Sequence, residues 1–496
     1  MFKVTVFKDV MPSADLKIVA AFAGKKEASK ITMLCSKDII EAMGKLKFKD
    51  SFAAGKGEVF NFNMADGTQI KVFGLGEQAK MKNETIRKSL ATAYKQALAE
   101  KHQSIGLCLE SFGSSNVAEI ARIASETILL AGYTFEKYKS KPSKTNVKEI
   151  HFFTKSKATA KISEAIAHSE KVIGTVNFAR DLVNEVPNTL HSESYSKLIQ
   201  DDVKKNLKGV KVKILGRAEM KKEGMNLLLS VNAGSAYEPQ LVHLTYTPKK
   251  VSPKTKHYAL VGKGITFDTG GYSLKAGANM MGMKFDMAGS ATMYGAFRAA
   301  VMSDCAQKLT CILAITDNAV SSLATMPDSV IVGRNGKTVE ILNTDAEGRL
   351  ILADAVDYAC DQNPDGIIDA ATLTGACIVA LGSQVAGLMT NNQKFADKLL
   401  ASAEAEEEYV WQLPIIDEWR QDIKSKVADI KNIGTAGKAG TAIGAAFIEE
   451  FIKNDIPWIH LDIAGVAEGS SHLSYCPAVG ASGSVIRSVY HFLMNA

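Results

Sequence analysis

Three stretches of this chain set charge into sequence that otherwise builds a core, and a fold must give all of them a polar home. VGKGITFDTGGYSLK, at 261–275, runs from a β-rich strand into Lys263, Asp268, a Gly270-Gly271 turn and Lys275. MKFDMAGSATM, at 283–293, opens an apolar helix with Asp286. NTDAEGRL, at 343–350, lies between TVEIL and ILADAV and carries Asp345, Glu347 and Arg349. Each segment follows a strand or precedes a helix. In open α/β sheets, ligands bind at the C-terminal ends of strands, where such connections cluster. One shared crevice is the economical reading.

The surrounding pattern is that of an α/β protein. In the first third, KVTVF, ITMLC, QIKVFGLG, SIGLCLES and EIHFFT read as strands, alternating with helical ETIRKSLATAYKQALAEK and VAEIARIASETILLAGY. From Lys157 to about Val186 the pattern is helical and long, until VPNTLHSES breaks it at Pro187. Beyond it KVKILG, HLTYT, HYALVGKG, LTCILAIT, TVEIL and GIIDAATL read as strands, with helices at 287–302, 349–361 and the C-terminus. The expected architecture is two domains, each a mixed or mostly parallel sheet flanked by helices, joined by a long helix. The boundaries predicted are 1–165 for an N-terminal α/β domain serving assembly or regulation, 166–185 for the linking helix, and 186–496 for the catalytic domain. A length of 496 residues agrees with more than one core.

Composition closes off other classes. No run of 18 uncharged apolar residues exists, so no membrane span is expected. IVAAFAG at 18–24 is the best leader candidate, but Asp9 and Asp15 precede it and its apolar core is short. Seven cysteines, odd in number and without CxxC spacing, read as buried free thiols in a reducing compartment, so cytoplasm is the expected location. A net charge of +6 is mild for this length.

Side chains two apart share one side of an extended backbone but diverge on a helix. Asp345, Glu347 and Arg349 therefore converge only if NTDAEG is an extended or looping connection. Read alone, that stretch could be a plain N-cap before helix 349–361, where acidic residues favour the helix dipole. Arg349 has the wrong sign for that role. Together, Asp268, Asp286, Asp345 and Glu347 place four negative charges in one pocket, and carboxylates so close cannot all ionise without counter-charge. Two divalent cations balance them, leaving Lys275 and Arg349 as a positive surplus suited to an anion or a developing oxyanion. Lys263, beside metals, is expected as a neutral amine or a ligand. Oxygen-rich ligation suits manganese or magnesium, or zinc once a nitrogen is included. Such a metal pair polarises a carbonyl and supplies hydroxide at neutral pH.

NTDAEGRL, intact from Asn343 to Leu350, resembles the signature of the leucyl aminopeptidases, cytosolic dimetal exopeptidases. VGKGITFDTGGYSLK and MKFDMAG resemble that family's other metal-binding segments, in the same order. FARDLVNEVPN at 178–188, DAATLTGA at 369–376 and WIHLDIAG at 458–465 are similar too. The resemblance covers 175–496 and weakens in the first third. It implies release of N-terminal residues, preferably Leu or other apolar ones, from peptides with a free N-terminus. It implies Lys263, Asp268, Asp286, Asp345 and Glu347 as ligands of two ions, Mn or Zn, with Asp268 and Glu347 bridging. Lys275 would polarise the scissile carbonyl, and Arg349 would hold a bicarbonate acting as general base. Met283, Thr372, Gly375, Ala464 and Ala467 would form the pocket for the released side chain. A homohexamer is also implied. EVPN replaces the family's commoner double-proline form, and no charged site residue departs from the pattern.

Competing readings are weaker. No HExxH pair exists among the nine histidines, and His460 reads as core in an apolar strand. GKAGTAIG at 437–444 lacks a phosphate loop's first Gly, with Asn432 there, and its Ser or Thr, with Ala439 there. A dimetal phosphoesterase would share the carboxylates, but such enzymes add His ligands that the three segments lack. Nucleic-acid binding is permitted by mild basicity and by the Lys-rich 138–148 stretch, without a recognisable motif.

Overall fold

A computed structural model describes residues 3–9, 12–24, 39–41, 52–143 and 145–496. The expected strand ITMLC and Cys35 lie outside the described residues. The fold is α/β, in two compact units: 1–174 with 471–477, and 175–470 with 478–496. The division falls inside the long helix Thr159–Asn184.

The first unit holds a six-stranded sheet ordered Lys3–Lys8, Glu149–Thr154, Ser104–Cys108, Leu16–Ala23, Gln69–Glu77, Val59–Asn63. All its pairings are parallel except that of the edge strand Val59–Asn63. IVAAFAG belongs to the interior strand Leu16–Ala23, buried almost throughout. Parallel strands covered on both faces read as unbroken apolar runs, which is why the stretch resembles a leader in one dimension. Helices Asn83–Ala99 and Val117–Ala131 pack together, and segment 471–477 joins this unit, with Tyr475 Oη donating to Glu84.

The second unit is built on an eight-stranded sheet ordered Val410–Gln412, Ala386–Thr390, Trp458–Asp462, Gly366–Ala371, His257–Asp268, Lys308–Asn318, Gln240–Tyr246, Val210–Leu215. Its four middle strands, Trp458–Asp462 through Lys308–Asn318, run parallel. Antiparallel pairs flank them on both sides. Helices Ala288–Met302, Glu347–Cys360 and Gly440–Glu449 are almost wholly buried, the second with four charged residues among its apolar ones. Helix Ala288–Met302 lies unusually close to the sheet: a Cβ on Gly289 would fall 2.1 Å from the Ala370 carbonyl oxygen. Only glycine permits that approach, and it carries the preceding residue Asp286 toward the strand ends. The six cysteines among the described residues are buried and free. Among the described residues, no helix is long and apolar enough to cross a membrane.

His257 opens the strand that bears Lys263 and Asp268. Burial, reinforced by Lys308, lowers its pKa to about 4, and its Nε2 lies 2.9 Å from Thr310 Oγ1. A histidine depressed on folding contributes stability above its unfolded pKa, near 6.5, and loses it as pH falls through the folded value. Between pH 7 and pH 5 the loss is about 1–2 kcal/mol after allowing for solvent screening. His257→Gln should therefore flatten the fall in Tm over that interval; an unchanged fall would remove His257 as a source of acid lability.

Candidate metal centre

The C-terminal ends of the middle strands form one polar crevice. Strand His257–Asp268 brings Lys263 partway along and Asp268 at its end. The short helical turn Met283–Met287 brings Asp286. Helix Glu347–Cys360 begins at Glu347, immediately after the turn that holds Asp345. Asp268, Asp286 and Glu347 are all buried, and each offers a carboxylate oxygen within 4.8 Å of the others. Asp345 stands beside that trio, joined to it through Lys275.

Two lysines lie among these carboxylates. Lys263 Nζ is 2.7 Å from Asp286 and 2.9 Å from Glu347, and donates to the Thr372 carbonyl at 2.9 Å. Lys275 Nζ is 2.8 Å from Asp268 and 2.5 Å from Asp345. Burial alone would lower both lysine pKa values, but the carboxylates outweigh it and raise them. Burial raises the carboxyls of Asp286, Asp345 and Glu347, and Asp268 adds like-charge repulsion at each. Four carboxylates facing two ammoniums leave a formal deficit of two positive charges. Asp286 Oδ2 is buried and has no hydrogen-bond partner among the described residues. A desolvated acidic cluster with too little counter-charge and a spare ligand atom fits divalent cations. Asp286 and Glu347 hold the Lys263 pKa above its ordinary value, where the sequence pattern suggests a neutral amine or a ligand.

Asp345, Glu347 and Arg349 do not share one extended face. Only the part before Glu347 is a turn; Glu347 and Arg349 lie in the first turn of the helix and diverge. Glu347 meets Lys263, while Arg349 Nη1 donates to the Asn432 carbonyl at 3.0 Å. Burial lowers the Arg349 pKa to about 10, so the group remains a cation at neutral pH. Its Nε has no hydrogen-bond partner among the described residues. A cavity of about 770 Å³ opens beside it, lined by Asn343, Leu413, Trp419, Ile433 and Thr441 among others.

The five expected pocket residues do not border that cavity. Thr372 joins the metal-centre network through Oγ1, which donates to Asp286 Oδ1 at 2.8 Å. Met283 starts the turn bearing Asp286, and Gly375 starts helix Gly375–Leu381. Ala464 and Ala467 follow strand Trp458–Asp462, and the Ala464 amide donates to Asp462 Oδ1 at 3.1 Å.

Several polar residues outside the three charged segments shape the crevice. Asp462 Oδ2 accepts from Thr374 Oγ1 at 2.7 Å and its Oδ1 from the Leu373 amide at 3.2 Å, fixing the loop after Thr372. Asn432 Oδ1 accepts from the Leu342 amide at 2.9 Å, and its Nδ2 donates to the Asn343 carbonyl at 2.6 Å. Asn318 Nδ2 donates to Asp268 Oδ1 at 2.8 Å and to the Thr344 carbonyl at 3.0 Å. His460 is core, as its setting suggested, but its Nδ1 pairs with buried Asp369 at 2.5 Å. A polar residue ending an apolar strand is the one-dimensional trace of Asn318, while Asp462 also stands in the family-like stretch WIHLDIAG.

Acidic and cationic side chains gathered at the strand ends of an α/β sheet form a candidate centre for divalent cations. Residues 177–490 match the cytosol aminopeptidase family, catalytic domain, and residues 18–142 match that family's N-terminal domain. The chain belongs to the cytosol aminopeptidase family, whose members are metallo-exopeptidases. A probable cytosol aminopeptidase of Pseudomonas fluorescens (strain SBW25) is 39% identical over 431 residues, 86% of this chain and 85% of the relative. One from Sulfurihydrogenibium sp. (strain YO3AOP1) is 37% identical over 429 residues, covering 86% and 84%. The solved structure of the bottromycin maturation enzyme BotP in complex with Mn is similar at a TM-score of 0.84 and 28% identity, covering 97% of this chain and 99% of that one. Membership sets aside the phosphoesterase reading.

Proposed function

We propose that this metal-dependent aminopeptidase releases Leu and other apolar residues from the free N-terminus of peptides, using two divalent ions. The undercompensated carboxylate cluster, set in an intact family signature, carries the reading. Asp268, Asp286, Asp345 and Glu347, with Lys263 as nitrogen donor, would hold the ions, Asp268 and Glu347 bridging. Bound there, the ions supply Lewis acidity toward a carbonyl and acidify a water. Manganese or zinc suits this oxygen-rich set with one nitrogen, and the manganese-bound neighbour favours the former.

The protein's own groups do the rest. Lys275, held as an ammonium, donates toward the scissile carbonyl oxygen and stabilises the charge that grows there. The substrate's free α-amine would be received at the ion beside Asp286, which would restrict cleavage to chain ends. Arg349, a buried cation with a spare Nε, would hold bicarbonate, which would supply a general base there. Met283, Thr372, Gly375, Ala464 and Ala467 line the pocket for the released side chain. A homohexamer, implied by the resemblance alone, is part of the proposal, as is a cytoplasmic location, supported by relatives named cytosol aminopeptidases and by the buried thiols.

Hydrolysis of Leu-p-nitroanilide should be abolished by a chelator and restored by Mn²⁺; activity indifferent to both would refute the metal mechanism. Lys275→Ala should lower kcat by about 10²–10³-fold, the typical loss on removing one oxyanion donor, with metal content retained. An unchanged kcat would take Lys275 out of the reaction.

A further inference from the structure

We infer that Asn318 is a positioning residue for the metal centre, one amide nitrogen fixing the separation between the Asp268 carboxylate and the turn that carries Asp345 and leads into Glu347. The inference rests on the proposed metal site and goes beyond its ligands. Strands His257–Asp268 and Lys308–Asn318 pair in parallel, residue for residue, as far as Thr316 opposite Ile265. There the register shifts, so that Asn318 comes to stand opposite Asp268. The irregularity re-aims a side chain at a strand end, a usual purpose of a bulge.

Asn318 is only 5% exposed. Its Nδ2 carries two hydrogens and meets two acceptors, Asp268 Oδ1 at 2.8 Å and the Thr344 carbonyl at 3.0 Å. Because both partners can only accept, the orientation of the amide is set by them. The Asn318 carbonyl in turn accepts from Thr269 N at 3.0 Å and Thr269 Oγ1 at 2.7 Å, anchoring the residue to the far side of Asp268. Asp268 Oδ1 receives a second donor, the Gly270 amide at 2.8 Å, while Oδ2 faces Lys275 at 2.8 Å. The carboxylate is thus held at both oxygens, Oδ1 by two amides and Oδ2 by Lys275.

The residue type follows from the chemistry. Aspartate would add a fifth carboxylate to an overcharged crevice, and serine offers one donor where two acceptors must be tied. Asparagine supplies both donors without charge. Partners that orient a metal-binding carboxylate typically change metal affinity or activity by about 10–100-fold when removed. An asparagine that merely finished its strand would affect stability and leave metal affinity alone.

The test uses full-length protein stripped with a chelator and dialysed, with Mn²⁺ as the probe. Binding is followed by calorimetry, and Tm is measured on the stripped protein. Asn318→Leu keeps the branched shape, at a larger volume, and deletes both donors; Asn318→Ala is the second variant if leucine impairs folding. Weakening of Mn²⁺ affinity by about 10–100-fold is expected, together with a raised Mn²⁺ requirement for Leu-p-nitroanilide hydrolysis. Wild-type protein that binds Mn²⁺ and variants that bind within twofold of it would overturn the role of Asn318 alone, whatever happens to Tm. Wild-type protein that binds no Mn²⁺ would overturn the metal site itself, and this inference with it.

Discussion

The constraint on which the rest depends is a charge imbalance: four carboxylates share one buried crevice with two lysines. In water such a set would separate; here the strand ends hold it together, and burial, with like-charge repulsion added, raises the carboxyl pKa values of Asp286, Asp345 and Glu347. Lys263 and Lys275 relieve part of it, each bridging two acids from different segments. What remains is a demand for cations, and that demand links the fold to the chemistry of the family.

Keeping like charges close takes rigid support, and the support is local. Gly289 lets helix Ala288–Met302 press onto the sheet and present Asp286. Gly348 serves the neighbouring helix in the same way, since a Cβ there would fall 2.7 Å from Lys263 Nζ. The NTDAEG turn is gripped from two directions, by Asn318 at Thr344 and by Asn432 at Asn343. Asn432 also receives Arg349, so one residue fixes both the start of the turn and the cation that leaves it on the other side.

Much of this was legible in one dimension, for definite reasons. Apolar runs of strand length mark the middle of the second sheet, because parallel strands covered on both faces leave no room for polar residues. Charges interrupting those runs mark the crevice, and the signature NTDAEGRL names the family. Other features were hidden. Segment 471–477 joins the first unit through contacts distant in sequence. The divergence of Glu347 and Arg349 depended on where the helix begins, which shifts by two residues between pattern and structure. Asn318 looks like any polar strand end until the register shift sets it against Asp268. The cavity beside Arg349 is lined from four separated stretches, so no local pattern could announce it.

The most direct test of the central claim is a crystal of the full-length protein grown with Mn²⁺ and measured at the manganese absorption edge. Two anomalous peaks per chain are predicted, with both ions contacting Asp268 and Glu347 and with Asp286 and Asp345 each on one of them. A single peak, or none at these carboxylates, would contradict the account of the charge imbalance as a two-ion site.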